Sequence, residues 1–479
     1  MSLLHDPAHV EPLSALSRFR ADLHTCLPRR ADTLFELCDA ILCADGPVTS
    51  PAELTLTPEH RRGHGAMYDA LTHGRIHTDR LRRTLASLPL PRAADGRIVL
   101  AVDVSPWLRP DAPTSPDRLF CHLHGRARNT HRLIPGWPYS VVAALESGRT
   151  SWTVVLDAIR LGPADDAIAV TAAQLREVVD RLIAAGHHRP GDPDIWIVAD
   201  SGYDVCRLAF VLADLPVQVI GRLRSDRVLA RPAPPYRPGP CAGRPRRHGN
   251  PFTLADPATW GAPDRATRTD TARYGTAEAM AWERLHPRLA HRGPWLDHDG
   301  ELPIVEGTLV RLVVERLPGD AAPKPVWLWS SATGIDAEEV DLIWRAFLRR
   351  FDLEHTFRLF KQTLGWTAPR VRSPEAADRW TWLVIAAHAQ LRLARPVAED
   401  LRRPWERAAR PGRLSPARVR RGFRHLRPRV TCPAGAPKPS RPGPGRPPGM
   451  KNHGPAPRHE VGKTVKRAAT LAEHKNQTG

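Results

Sequence analysis

Two short apolar runs, each followed directly by an aspartate, constrain this chain more than any other feature. Ile98-Val99-Leu100-Ala101-Val102 ends in Asp103, and Ile195-Trp196-Ile197-Val198-Ala199 ends in Asp200. Runs of this length without polar alternation predict strands buried on both faces, as in the middle of an α/β sheet. Between them lie β-like stretches at Ser140–Leu145 and Trp152–Ile159. A helix follows, for which Thr171-Ala172-Ala173-Gln174 reads as a capping box. Leu175, Val178, Val179, Leu182 and Ile183 form its apolar stripe, and Gly186 can end it. Val217–Leu223 predicts a fifth strand.

The order of three strands, a helix, a strand, a short helix and a strand, with acids after two strands, resembles a ribonuclease-H-like mixed sheet. The expected fold is therefore α/β. Residues 231–322, with a Pro- and Arg-rich opening and some β character at Thr308–Glu315, read as an inserted subdomain. The sheet domain then comprises residues 96–230 and 323–400.

Residues 1–95 read as a small helical module, expected to bind DNA. Leu13, Leu16, Phe19 and Leu23 recur at helical spacing, as do Leu34, Leu37, Cys38, Ile41 and Leu42. Thr57-Pro58-Glu59 reads as the start of a further helix, and another is expected near Thr78–Leu88.

The net charge of +19 is placed unevenly. Residues 401–479 carry 20 Lys and Arg against Glu406, Glu460 and Glu473. Such a block favours polyanions through counterion release. From about residue 433 its Pro, Gly and basic composition predicts disorder when free. Pro444-Gly445-Arg446-Pro447 resembles the core of an AT-hook, whose arginine would enter a minor groove. Gly462-Lys463-Thr464 lacks the rest of a P-loop, since Pro457 stands where the first glycine belongs, so no ATP site is expected.

No apolar run reaches the roughly 18 residues of a membrane span, and the amino terminus lacks the pattern of a secretory signal. A cytoplasmic, nucleoid-associated protein is expected. The seven cysteines contain no C-x-x-C pair. Cys121-His122-Leu123-His124 lacks a second ligand pair at finger spacing and reads as a strand.

A long helix is expected from about Glu338 past Lys361. On it, Phe347, Arg350, Glu354 and Lys361 fall near one face at steps of three, four and seven. Phosphodiester cleavage by two metal ions needs several converging carboxylates, and Asp103, Asp200 and Glu354 could supply them.

The spacing aromatic-x2-Arg-x3-Glu-x6-Lys resembles the YREK signature of DDE transposases from bacterial insertion sequences, with Phe347 in place of the usual tyrosine. Asp200-Ser201-Gly202-Tyr203 resembles the second-acid motif of that family, and Asp103-Val104-Ser105 the first. The resemblance covers about residues 97–400. It implies that Asp103, Asp200 and Glu354 hold two Mg²⁺ ions, with Mn²⁺ able to substitute. It also implies that Arg350 and Lys361 contact phosphates of the transposon end, that Phe347 keeps the packing but loses a hydroxyl contact, and that a homodimer forms on DNA. In related enzymes a tryptophan of the insertion stacks on a flipped base; Trp260, Trp282 and Trp295 are available here, with core packing the alternative for each. A catalytically silent DNA-binding protein and a ribonuclease-H-like nuclease remain as the other readings.

Overall fold

The computed structural model describes residues 7–124, 131–148, 150–236, 245–296, 298–317, 322–410, 412–438, 448–450 and 454–464. Five helices come first: α1 (Pro7–Thr25), α2 (Ala31–Cys43), α3 (Pro51–Leu54), α4 (His64–His73) and α5 (Thr78–Ala86). The two apolar stripes do the expected work, with Leu16, Phe19 and Leu23 of α1 and Leu34, Leu37, Cys38, Ile41 and Leu42 of α2 all buried. Thr57-Pro58-Glu59 does not start a helix. That role falls to Ser50, whose side chain accepts from the Ala52 amide with Pro51 behind it. Glu59 is instead buried beside Arg424, 3.2 Å from its Nε, so a distant charge overrides the local cap signal.

The central elements are β1 (Val99–Leu108), β2 (Leu119–His124), β3 (His131–Leu145), β4 (Thr153–Arg160), α6 (Ala167–Ala184), β5 (Ile195–Ala199), α7 (Val205–Val211) and β6 (Val217–Leu223). β4 lies antiparallel on β3, β3 antiparallel on β1, β1 parallel to β5, and β5 parallel to β6. This is the mixed order of a ribonuclease-H-like sheet. The first part of β3 also pairs with β2. Helix α6 begins earlier than its sequence suggests, because Asp166 caps it by accepting from the amides of Ile168 and Ala169. Thr171 and Gln174 are therefore interior. Gln174 bonds Ser140 of β3 instead, accepting from its hydroxyl at 2.7 Å and donating to its carbonyl at 3.1 Å.

Next come β7 (Val228–Pro232), β8 (His248–Thr253), β9 (Arg265–Thr271), β10 (Gly275–Leu285), β11 (Gly307–Val314) and β12 (Val326–Ser330). β7 and β8 form a separate ribbon. β9 to β12 form an antiparallel meander that joins the main sheet where β12 pairs with β6. Among the described residues the result is one ten-stranded sheet. Residues 231–322 thus contribute three strands to the same sheet that carries β1 and β5.

Four helices close the fold: α8 (Ala337–Arg349), α9 (Phe351–Gln362), α10 (Pro374–Ala394) and α11 (Pro416–Leu426). α10 is buried on nearly every face, covered by the amino-terminal helices, α11 and β4. Where one unbroken helix is expected across residues 338–361, the structure breaks it at Arg350. There the backbone amide donates to the Phe347 carbonyl at 3.0 Å, a tighter turn than the α-helical one.

Much of the basic carboxy-terminal segment is engaged within the protein. Arg418, Arg421, Arg424 and Arg427 all pair with carboxylates, and buried Arg420 donates to the carbonyls of Ile41 and Gly46. Farther on, Gly462 donates to the Arg118 carbonyl and accepts from the Phe120 amide, so this stretch lies along β2. Arg446 and its Pro-Gly-Arg-Pro motif lie outside the described residues. No helix among the described residues is long and apolar enough to cross a membrane.

Candidate functional site

The first acid sits within a strand rather than at its end. The apolar run stops at Asp103, but β1 continues to Leu108 because β3 pairs with it over that whole length. Asp200 does end β5, as its sequence suggests. In the parallel β1/β5 register Ala101 faces Val198, so two residues farther on Asp103 and Asp200 come level. The turn after Asp200 is closed by the Tyr203 amide donating to the Asp200 carbonyl at 3.1 Å. Gly202 within this turn has a φ outside the left-handed region, and no atom crowds its missing Cβ. The glycine that the site does require is Gly221 on β6, where a Cβ would run into the Val205 side chain of α7.

The third acid arrives on α9. Arg350, at the junction of α8 and α9, extends one guanidinium into all three carboxylates. Its Nη1 donates to Asp103 Oδ2 at 2.9 Å and its Nη2 to Glu354 Oε1 at 3.3 Å. The same Nη2 stands 3.5 Å from Asp200 Oδ2 as an ion pair. The Arg350 side chain is only 7% exposed, against 35% for Asp200 and 40% for Glu354, so the cluster opens to solvent on the side of those two acids.

The charges shape the protonation of the group. Burial pushes the Asp103 carboxyl up, Arg350 and the Val104 amide pull it down, and Asp200 and Glu354 push it up again. Burial, then the charge of Asp103, raises the Tyr203 phenol, with Ser140 beside it acting in the opposite direction. Lys361 is largely withdrawn from water, which lowers its ammonium pKa. Its Nζ lies 5.6 Å from the centre of the Trp366 ring.

The signature positions therefore separate. Arg350 and Glu354 join Asp103 and Asp200. Phe347 is buried, its ring 5.9 Å from the Arg350 guanidinium carbon that it helps to position. The engagement of Arg350 with three acids was not readable in the sequence. Its i,i+4 spacing to Glu354 is the one local hint, and the other two partners depend on the fold. Trp282 and Trp295 are buried, and Trp260 packs among Phe252, Trp282 and Trp327 with its indole donating to the Thr253 carbonyl. Cys121 is buried and His122 exposed on β2.

Three carboxylates are a hard oxygen donor set of the kind that suits Mg²⁺ or Mn²⁺. One observation of this structure favours such an ion: Asp200 Oδ1 is buried with no hydrogen-bond partner. Among the described residues no group of three or more His, Cys, Asp or Glu is arranged to hold a metal ion, and the three acids share the Arg350 guanidinium instead. The donor chemistry of the three acids suits a divalent ion, and the cation now among them is the Arg350 guanidinium.

A family model described as "DDE superfamily endonuclease" matches residues 22–288. The matched stretch includes Asp103 and Asp200 and ends within the loop after β10, well before Glu354. No curated protein matches the chain.

Proposed function

The chain belongs to the DDE superfamily of endonucleases, and from that premise we propose a transposase that cuts DNA at the ends of its own mobile element and joins them to a target. DNA is the substrate that such an endonuclease domain implies. The observation that carries the proposal is the convergence of Asp103, Asp200 and Glu354, from β1, β5 and α9, on one guanidinium. Superfamily enzymes generally use divalent metals. Held by these acids, a pair of Mg²⁺ ions would supply an activated nucleophile and charge neutralisation at the leaving oxygen.

The remaining roles fall to the chain. Asp103 is fixed by its strand and by the Val104 amide donating to Oδ1 at 2.8 Å. Asp200 and Glu354, more exposed, face the incoming strand. Arg350, released from the acids, has the planar donor fork that grips a phosphate. Phe347 backs it, and Lys361 offers a second cation near Asp103. The exchange conserves phosphodiester bonds, so no ATP is needed. Joining two ends to one target calls for a homodimer on DNA. The basic tail, Arg446 included, would add sequence-independent grip. The resemblance at residues 347–361 supports a bacterial insertion-sequence origin of the YREK group, acting at the nucleoid.

A second reading has an observation of its own. Arg350 neutralises the acids, as it would in a silent DNA-binding protein. One assay separates the two: DNA flanking the gene is incubated with wild type and Glu354→Gln, with and without Mg²⁺. Metal-dependent cuts at the element's ends, reduced about a hundredfold or more in the variant, support the transposase. Binding without cutting under any divalent metal supports the silent protein.

A further inference from the structure

A second basic site lies on the far side of α9. A cleft of about 310 Å³ is lined by Arg273, Arg349, Arg395 and Arg413, together with Asp352 and His355. These arginines come from four separate places: the β9–β10 turn, the end of α8, the residue after α10, and the basic segment before α11. Nothing in the local sequence brings them together.

Their charges do not cancel. Arg349 pairs with Asp352, and Arg395 pairs with Glu146 at 2.9 Å. Arg349 also donates to the backbone carbonyls of Gly148 and Glu146, which leaves its Nε buried without a partner. Among the described residues, Arg273 and Arg413 line the same cleft without a carboxylate within 4 Å, although the charge of Arg273 does reach Asp352. Four guanidiniums against the two carboxylates of Asp352 and Glu146, around an open cleft of this size, make a receptor for an oxyanion, since the guanidinium fork matches phosphate geometry.

The location narrows the ligand. Asp352 and Glu354 are two residues apart on α9, about 200° around the helix, so the cleft and the acid cluster face opposite ways. With side chains a helix is roughly 10–12 Å across. A strand must pass around this helix, so at about 3.4 Å of rise per nucleotide an anion in the cleft would lie a few nucleotides from the one being cut. We propose that this arginine-lined cleft holds a backbone phosphate of the bound DNA other than the scissile one, and so fixes the strand across α9. The class of ligand rests on the DNA-cutting reading above; the cleft and its unmatched charge do not.

The test measures binding without cutting. Affinity for a duplex of fixed length is followed in EDTA across a KCl series, for wild type and Arg273→Ala/Arg413→Ala. Loss of one phosphate contact lowers the slope of log affinity against log salt by about 0.9. The double lysine variant, which keeps the charge, should retain the wild-type slope. Arg224→Ala, on an exposed arginine paired with Asp226 at 3.0 Å, should also leave it unchanged. An unchanged slope in the double alanine variant overturns the proposal, as does an equal loss in the lysine or Arg224 proteins. Stabilisation of wild type by inorganic phosphate or pyrophosphate, absent from the double alanine variant and with no slope difference on DNA, would assign the cleft to a small anion and overturn it too. A slope difference between wild type and the double alanine variant, with no cutting of DNA by wild type in Mg²⁺, would remove the transposase reading and leave the phosphate site standing.

Discussion

The Arg350 guanidinium and the Asp103 carboxylate meet at 2.9 Å across 247 positions of sequence. The pair is nearly enclosed on the arginine side, and the same guanidinium balances Asp200 and Glu354. Removing it leaves three carboxylates facing one another. Arg350→Ala should lower metal-free stability by about 1–3 kcal/mol, less than for a fully buried pair because two of the acids are partly solvated. Divalent ions should then stabilise the variant more than wild type, since they no longer compete with the guanidinium. Thermal melts with EDTA, Mg²⁺ and Mn²⁺ check this, and an equal response in both proteins would count against Arg350 as the occupant of the metal-binding side.

Gly221 sits where β6 passes under α7, and any Cβ there collides with Val205. Gly221→Ala should cost about 1–3 kcal/mol through overpacking. Val205→Ala should recover part of that loss in the double variant, beyond its own effect. Denaturant titrations of the four proteins of the cycle give the coupling. Because α7 follows directly on the Asp200 turn, any cleavage activity should fall with the single variant and return with the double.

His388 lies on α10 between Trp152 and Phe360, fully enclosed, and burial depresses its pKa to about 3. The unfolded chain takes up this proton near the ordinary value of about 6.5. Between those two values the unfolded state binds more protons, so stability falls as pH drops from about 6.5 toward 3, by up to about 1.4 kcal/mol per pH unit for this group. His388→Leu should flatten that slope. Unfolding free energies between pH 7 and pH 4.5 test it, and an unaltered slope would mean that other groups carry the acid sensitivity.

Arg20 ties together helices that are far apart in the chain. Fully buried on α1, it donates to both oxygens of Asp39 on α2, to Gln390 of α10 and to the Thr431 carbonyl. Arg20→Met strands the Asp39 carboxylate, leaving Arg427 as its cation at 3.4 Å, and should cost about 3–5 kcal/mol. Arg20→Met/Asp39→Leu should lose less than the single variant, because no buried charge is left over. Chemical denaturation of the two proteins decides the ordering.

What the sequence determined by itself is what repeats locally. The apolar runs before Asp103 and Asp200 marked β1 and β5, and the stripes of α1, α2 and α6 were legible because a helix or strand buries one face with its own period. Composition likewise located the basic segment. The cap of α6 was misplaced because Asp166 already caps the amides of Ile168 and Ala169 upstream, and Thr57 opens no helix because Ser50 caps α3 before it and Glu59 is drawn to Arg424. Only the tertiary structure decided the rest. The register of β1 on β5 levels the two aspartates, and the break between α8 and α9 turns Arg350 into them. The meeting of Arg273, Arg349, Arg395 and Arg413 in one cleft is likewise a product of folding. An arginine in a sequence carries a charge but no partner. Its partner is set by which carboxylate the packed chain brings within a few ångströms, and no local periodicity encodes that distance.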